Sequence, residues 1–155
     1  RVLRRWGIVL PAYLVGAALF ALVVARTRSL EMPNAGALLD VARGATSDGF
    51  GLTFLRAIWA GWLVALMAWL LASTRETIAQ IALIVATTAP IAAFGFRHSI
   101  AGAVEAFYRV WMSDANLGAL LWSFELPALL GNIIGGVVLV ALVNHGQAGS
   151  RPAGV

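Results

Sequence analysis

The sequence contains no cysteine and no lysine, and only 12% of its 155 residues are charged. Soluble domains average about 25% charged residues, so half of the usual water-facing charge is missing, which excludes a soluble globular domain. The absence of cysteine excludes disulfides and thiol chemistry, and two histidines, His98 and His145, are too few for a structural zinc site. No cofactor is called for. All eleven basic residues are arginine, set singly or in short flanking groups and not as a basic stripe, so nucleic acid is not an expected partner despite the net charge of +4.

What the sequence has instead is apolar residues, 61% of the chain, in long uninterrupted runs. Such runs mark a bilayer as the solvent, so the expected class is an all-α, polytopic membrane helical bundle. The stretch 6–25 has no charge and is bounded by Arg4, Arg5 and Arg26. At 1.5 Å per residue it crosses about 30 Å of hydrocarbon. Further spans are expected over 57–74, 77–111 and 126–143, and residues 147–155 read as a disordered tail. Trp59, Trp62 and Trp69 in the second span share a helical face, read as lipid contact or helix packing and not as a cofactor box. Between the first two spans, Thr27 to Thr53 carries both signs of charge with Pro33 and four glycines, and reads as a connecting loop with a short amphipathic helix near Leu38 to Arg43. If the spans alternate, Arg1, Arg4, Arg5, Arg75 and Arg151 collect on one side and Arg26, Arg28, Arg43 and Arg56 on the other, so the positive-inside rule does not decide orientation. The chain opens on Arg1 in the middle of this pattern, and reads as part of a longer protein with two more helices upstream.

The third span ends unlike the others. It runs through Pro90 and Gly95 into Arg97, His98 and Ser99, then resumes as an apolar stretch from Ile100 to Trp111, too short to cross again. In that stretch Glu105 and Arg109 sit four apart, as a helical ion pair would. The reading is a helix broken near 97–99, with Ser99 as N-cap of a half-helix. A central arginine opposes insertion by about 2.5–3.5 kcal/mol, as much as five or more leucines favour it. Ionisable groups at such a depth face protein or water and usually mark a pathway. The simpler alternative is that Arg97 and His98 mark a span end at the interface. A weak internal likeness favours the break: Ala12 to Ala17 matches Gly131 to Gly136, and two copies three helices apart would run in opposite directions, as in transporters built from inverted repeats. Gly131, Gly135 and Gly136 are expected to form a close helix contact, since small residues four apart let backbones approach.

The segments Gly95-Phe96-Arg97-His98-Ser99-Ile100-Ala101 and Leu130-Gly131-Asn132-Ile133-Ile134-Gly135-Gly136 resemble the fifth- and sixth-helix motifs of the formate/nitrite transporter family, in the right order, and Arg56 to Leu70 looks like its fourth helix. The resemblance implies that residues 1–146 are the third to sixth helices of an aquaporin-like inverted-repeat domain. It further implies a homo-pentamer in the inner membrane, with one pore per protomer for small monovalent anions. By carry-over, His98, Ser99 and Asn132 line that pore, with Arg97, Phe94 and Ile91 beside them. Arg97 replaces the family's glutamate, Gly102 its asparagine, Ile91 stands where some members have an aromatic constriction, and the third-helix Gly-Asn pair reads Ala12-Tyr13. The chemistry fits the motif: an anion is costly to desolvate in a narrow apolar pore and its neutral acid is not, and histidine, with an ordinary pKa near 6.5, is suited to supply the proton. A half-helix beginning at Ser99 adds attraction for an anion, and Asn132 could orient either imidazole tautomer. Two other functions compete with transport. One is an intramembrane hydrolase using Ser99 or Ser123 with His98, disfavoured because adjacent residues project about 100° apart on a helix. The other is a scaffold without a pore, in which Arg97 pairs with Glu105 or Glu125.

Overall fold

The computed structural model describes residues 2–27, 36–139, 141–142 and 145–146. All regular elements among them are helical: α1 Val2–Thr27, α2 Ala37–Ala45, α3 Phe50–Ser73, α4 Thr77–Ala93, α5 Ser99–Trp111, α6 Leu117–Leu120 and α7 Leu126–Ile134. A π-helical turn, Leu121–Glu125, joins α6 to α7, and a second, Gly135–Leu139, continues α7. The run Leu117–Val138 is thus one continuous apolar helix. Together with Arg4–Thr27 and Phe50–Ser73 it is long and apolar enough to cross a membrane. The 17 residues of α4 are apolar but fall short, since they reach only about 25 Å. The chain is an all-α membrane bundle. The expected tail, 147–155, lies outside the described residues.

Helix α3 begins, and helix α4 ends, earlier than the charge pattern suggests. Helix α3 starts at Phe50 and carries Arg56 within it, so the connecting segment is shorter than Thr27 to Thr53. Helix α4 closes at Ala93, and the non-helical residues are Phe94 to His98.

The chain divides into two compact units: Arg1–Gly51 with Ser99–Leu126, and Leu52–His98 with Pro127–Val155. In the first, α5 packs against α1 and α2. Its buried face is a stripe of small residues, Ser99, Gly102, Ala103 and Ala106, and α1 buries Ala17, Ala21 and Val24. Gly102 is required by what it faces: a Cβ there would occupy the place of the Phe124 ring, itself fully buried. In the second unit α7 lies against α3. Cβ atoms on Gly131 or Gly135 would fall on the α3 backbone at Phe54 and Ile58, and one on Gly61 would fall on the backbone of Asn132. These glycines give two apolar helices a close approach that dispersion alone rewards inside a bilayer.

Helices α4 and α5 end in the same way. After α4, Gly95 takes φ +61 and donates to Ala92 O, while Phe96 N reaches back to Ile91 O at 2.9 Å. This pair of bonds is a Schellman motif, which satisfies carbonyls that the helix end would otherwise orphan. After α5, Ser113 takes φ 58, its N–H reaches Val110 O, and Asp114 N reaches Arg109 O at 2.9 Å.

Candidate functional site: a broken helix and a buried acid

In the second unit the break is built by local rules. Pro90 lacks an N–H, Gly95 alone among common residues accepts φ +61 without strain, and the Schellman bonds turn the chain out of the helix. Residues Phe96, Arg97 and His98 follow without helical bonds. The segment is held from outside by Asn132, whose Nδ2 donates to Arg97 O at 2.9 Å and to Ala57 O at 2.8 Å. One side chain of α7 thereby ties the break to α3. Gly61 makes this possible, because any side chain there would displace the Asn132 backbone.

Arg97 is buried, at 9% exposure, and His98 and Asn132 are half-buried. Ile91 is half-buried, and its carbonyl is the acceptor that closes the Schellman turn. Phe94 is 69% exposed and sits at one end of an aromatic row. Its ring lies 5.7 Å from Phe96, Phe96 stacks on Trp59 at 6.4 Å, and Trp59 meets Trp62 edge-on at 5.8 Å. The tryptophan pair therefore packs against the break. The second unit thus brings Ile91, Phe94, Arg97, His98 and Asn132 to one segment and its anchor.

Ser99 belongs to the first unit and is buried. It is the first residue of α5, one position inside the cap expected for it, with His98 preceding the helix. Its neighbour is the phenol of Tyr13 from α1, within hydrogen-bonding reach of Ser99. The Tyr13 hydroxyl donates in turn to Glu125 Oε1, on the π-helical turn before α7. Sequence reasoning singled out each of these residues without joining them. Tyr13 and Glu125 are 112 positions apart, and the sequence offered Tyr13 only as a departure from the family's Gly-Asn pair and Glu125 only as a partner for Arg97.

Arg109, expected to pair with Glu105, donates from Nε to Asp114 Oδ2 at 2.8 Å and from Nη1 to Thr46 Oγ1 at 2.8 Å. Arg43 of α2 donates from Nε to Asp114 Oδ1 at 3.0 Å. The Arg43 guanidinium, and then that of Arg109, hold the Asp114 carboxyl down at about 2.

The family model described as "Formate/nitrite transporter" matches residues 1–146. The chain belongs to the formate/nitrite transporter family. It is 30% identical to "Inner membrane protein YfdC" of Escherichia coli over 94% of this chain and 46% of that protein. It is 29% identical to "Uncharacterized transporter YrhG" of Bacillus subtilis over 89% of this chain and 52% of that protein. A "Probable formate transporter" of Methanothermobacter thermautotrophicus is 29% identical over 78% and 43% respectively. The chain therefore spans about half the length of these curated relatives. A membrane protein related to transporters of small anions is what the helices and the family together establish, and two of these three relatives are named as transporters.

Proposed function

We propose that the protein containing this chain is a channel or proton-coupled permease for small monovalent anions, formate- or nitrite-like weak acids, working as a multi-pass protein of the inner membrane. The observation that carries the reading is the break at Phe94 to His98, anchored by Asn132, in a chain whose other long helices are apolar. Backbone leaves helical geometry within a membrane only where protein or a water-filled path satisfies it, and ionisable groups at such a point mark pathways. Of the two histidines, His98 lies at the break and His145 near the chain's end. His98 is the group that hands a proton to the entering anion and recovers it, Ser99 and Asn132 serve its surroundings, and Arg97 supplies positive charge. The family resemblance adds a homo-pentamer to this reading.

The test is uptake of labelled formate or nitrite into liposomes holding the full protein. His98→Phe is expected to reduce flux at least tenfold with expression and assembly intact. Normal flux with an unchanged pH profile in that variant would refute the histidine mechanism. Absence of flux in the unaltered protein with every tested monovalent anion would favour a scaffold instead.

A further inference from the structure

Outside the break, the first unit holds a second ionisable group with no task in the mechanism above. Glu125 is 6% exposed and lies within an apolar span, at the end of a π-helical turn. Its Oε1 accepts the Tyr13 hydroxyl, and its Oε2 is fully buried without a hydrogen-bond partner among the described residues. Apart from Glu125, the small cavity it lines is apolar, with Ala103, Ala106 and Leu120 among its walls.

A carboxyl maintained for structure alone would use both oxygens, because each buried polar atom left unpaired is costly, and more so when it is charged. An amide or a second hydroxyl would hold Tyr13 at lower cost. A carboxyl differs from these in one property: it takes up and releases a proton. The geometry assigns where. With the phenol filling the acceptor side of Oε1, the proton goes onto Oε2, converting carboxylate to acid, and leaves from there. The π-helical turn supports a functional reading, since such turns insert one residue into a helix and gather at functional sites.

We propose that Glu125 is a second proton-binding site of this protein, with Tyr13 as its positioning residue and the Ser99 hydroxyl next to Tyr13. The site goes beyond the proposed anion pathway and does not depend on His98. Among the described residues, the groups facing it are few. From α1 comes Tyr13, with Ser99 of α5 beside that phenol, while α5 offers Ala103 and Ala106 to the cavity and α6 Leu117 and Leu120. Farther along α5, Glu105 lines a different cavity with Ala21, Val24 and Ala42. Arg109 is engaged with Asp114 and Thr46, and lies ten residues from Ser99, about 15 Å along the helix. No cation among these faces the carboxyl.

The experiment reads the proton, not the flux. Infrared difference spectra of the full protein in lipid, stepped across about pH 4 to 9 to cover the usual carboxyl range and its buried extremes, are expected to show a carboxylic C=O band that titrates and is lost in Glu125→Gln. Tyr13→Phe is expected to displace its midpoint by about one pH unit, the effect of one hydrogen bond to a carboxyl. Should Glu125→Gln fail to assemble, dicyclohexylcarbodiimide, which attacks protonated carboxyls from the lipid, provides the second measurement on the unaltered protein. Labelling of the peptide carrying Glu125 that changes with pH supports the site. No titrating band from Glu125, or a label that is absent or independent of pH, overturns it. A band at an unchanged midpoint in Tyr13→Phe overturns the part given to Tyr13. Because no anion is involved, the result stands apart from the liposome flux that tests the proposed function.

Discussion

Gly95 and Ser113 hold the same backbone conformation at the ends of successive helices, but only one of them is glycine. A left-handed residue with a Cβ costs roughly 1–2 kcal/mol, and nothing lies within 4 Å of the position a Gly95 Cβ would take. The penalty for Gly95→Ala is therefore purely conformational. We expect that change to destabilise the protein by about 1 kcal/mol, and Ser113→Gly to stabilise it by up to about 1 kcal/mol. Thermal unfolding in detergent measures both, and shifts of the same sign would contradict the shared geometry. The sequence placed a break in the third span near 97–99, because proline, glycine and charge act locally. It did not show that the end lies at Ala93, since the Schellman bonds that fix the limit depend on φ at a single residue.

At the scale of elements, two contacts set how helices meet. In the second unit Gly135 lies directly on the α3 backbone, whereas a Cβ on Gly136 would make ordinary contacts, 3.5 Å from Gly61 O and 3.6 Å from Ala65 Cβ. Gly135→Ala is accordingly expected to cost about 1–3 kcal/mol through forced backbone displacement, and Gly136→Ala much less. Equal losses of melting temperature would show that the close approach is not where the structure puts it. In the first unit Asp114 ties α2 to the end of α5 through Arg43 and Arg109. Its folded carboxyl stands at about 2, below the ordinary value near 3.9. A depressed carboxyl contributes stability that is complete above the unfolded value and lost as pH falls toward the folded one. The melting difference between the protein and Asp114→Asn should thus be constant from neutrality down to about pH 5 and shrink between about pH 4 and 2. A difference that persists unchanged to pH 2 would mean that the carboxylate charge contributes nothing. Helical spacing suggested a partner for Arg109 one turn away on its own helix. The structure gives it one across the turn that follows, a choice made by the left-handed residue Ser113 and not by periodicity.

For the whole molecule, large apolar side chains remain exposed on every long helix, among them Ile8 at 64%, Ile78 at 84% and Trp122 at 66%. In a membrane protein such surface meets lipid or other protomers. With the proposed homo-pentamer, the full protein extracted in mild detergent should show a single assembly of five copies by native mass spectrometry. A monomer with full anion flux would overturn the pentamer and leave the proposed transport intact.

The sequence alone determined that this chain belongs in a bilayer, that its elements are helices, and which family its motifs resemble, because hydropathy, charge spacing and short motifs are properties of consecutive residues. It also singled out Arg97 and His98 as ionisable groups marking either a break in the third span or its end. Only the tertiary structure decided that Asn132 holds the break by its Arg97 carbonyl, that Gly61 clears the space for it, and that Tyr13 meets Glu125. These pairs are 35 to 112 positions apart. An apolar sequence says which residues leave water, but inside a bilayer all apolar faces are equally satisfied by lipid. Helix partners are therefore chosen by close packing and by the few polar groups that must find one another, and neither has a period along the chain.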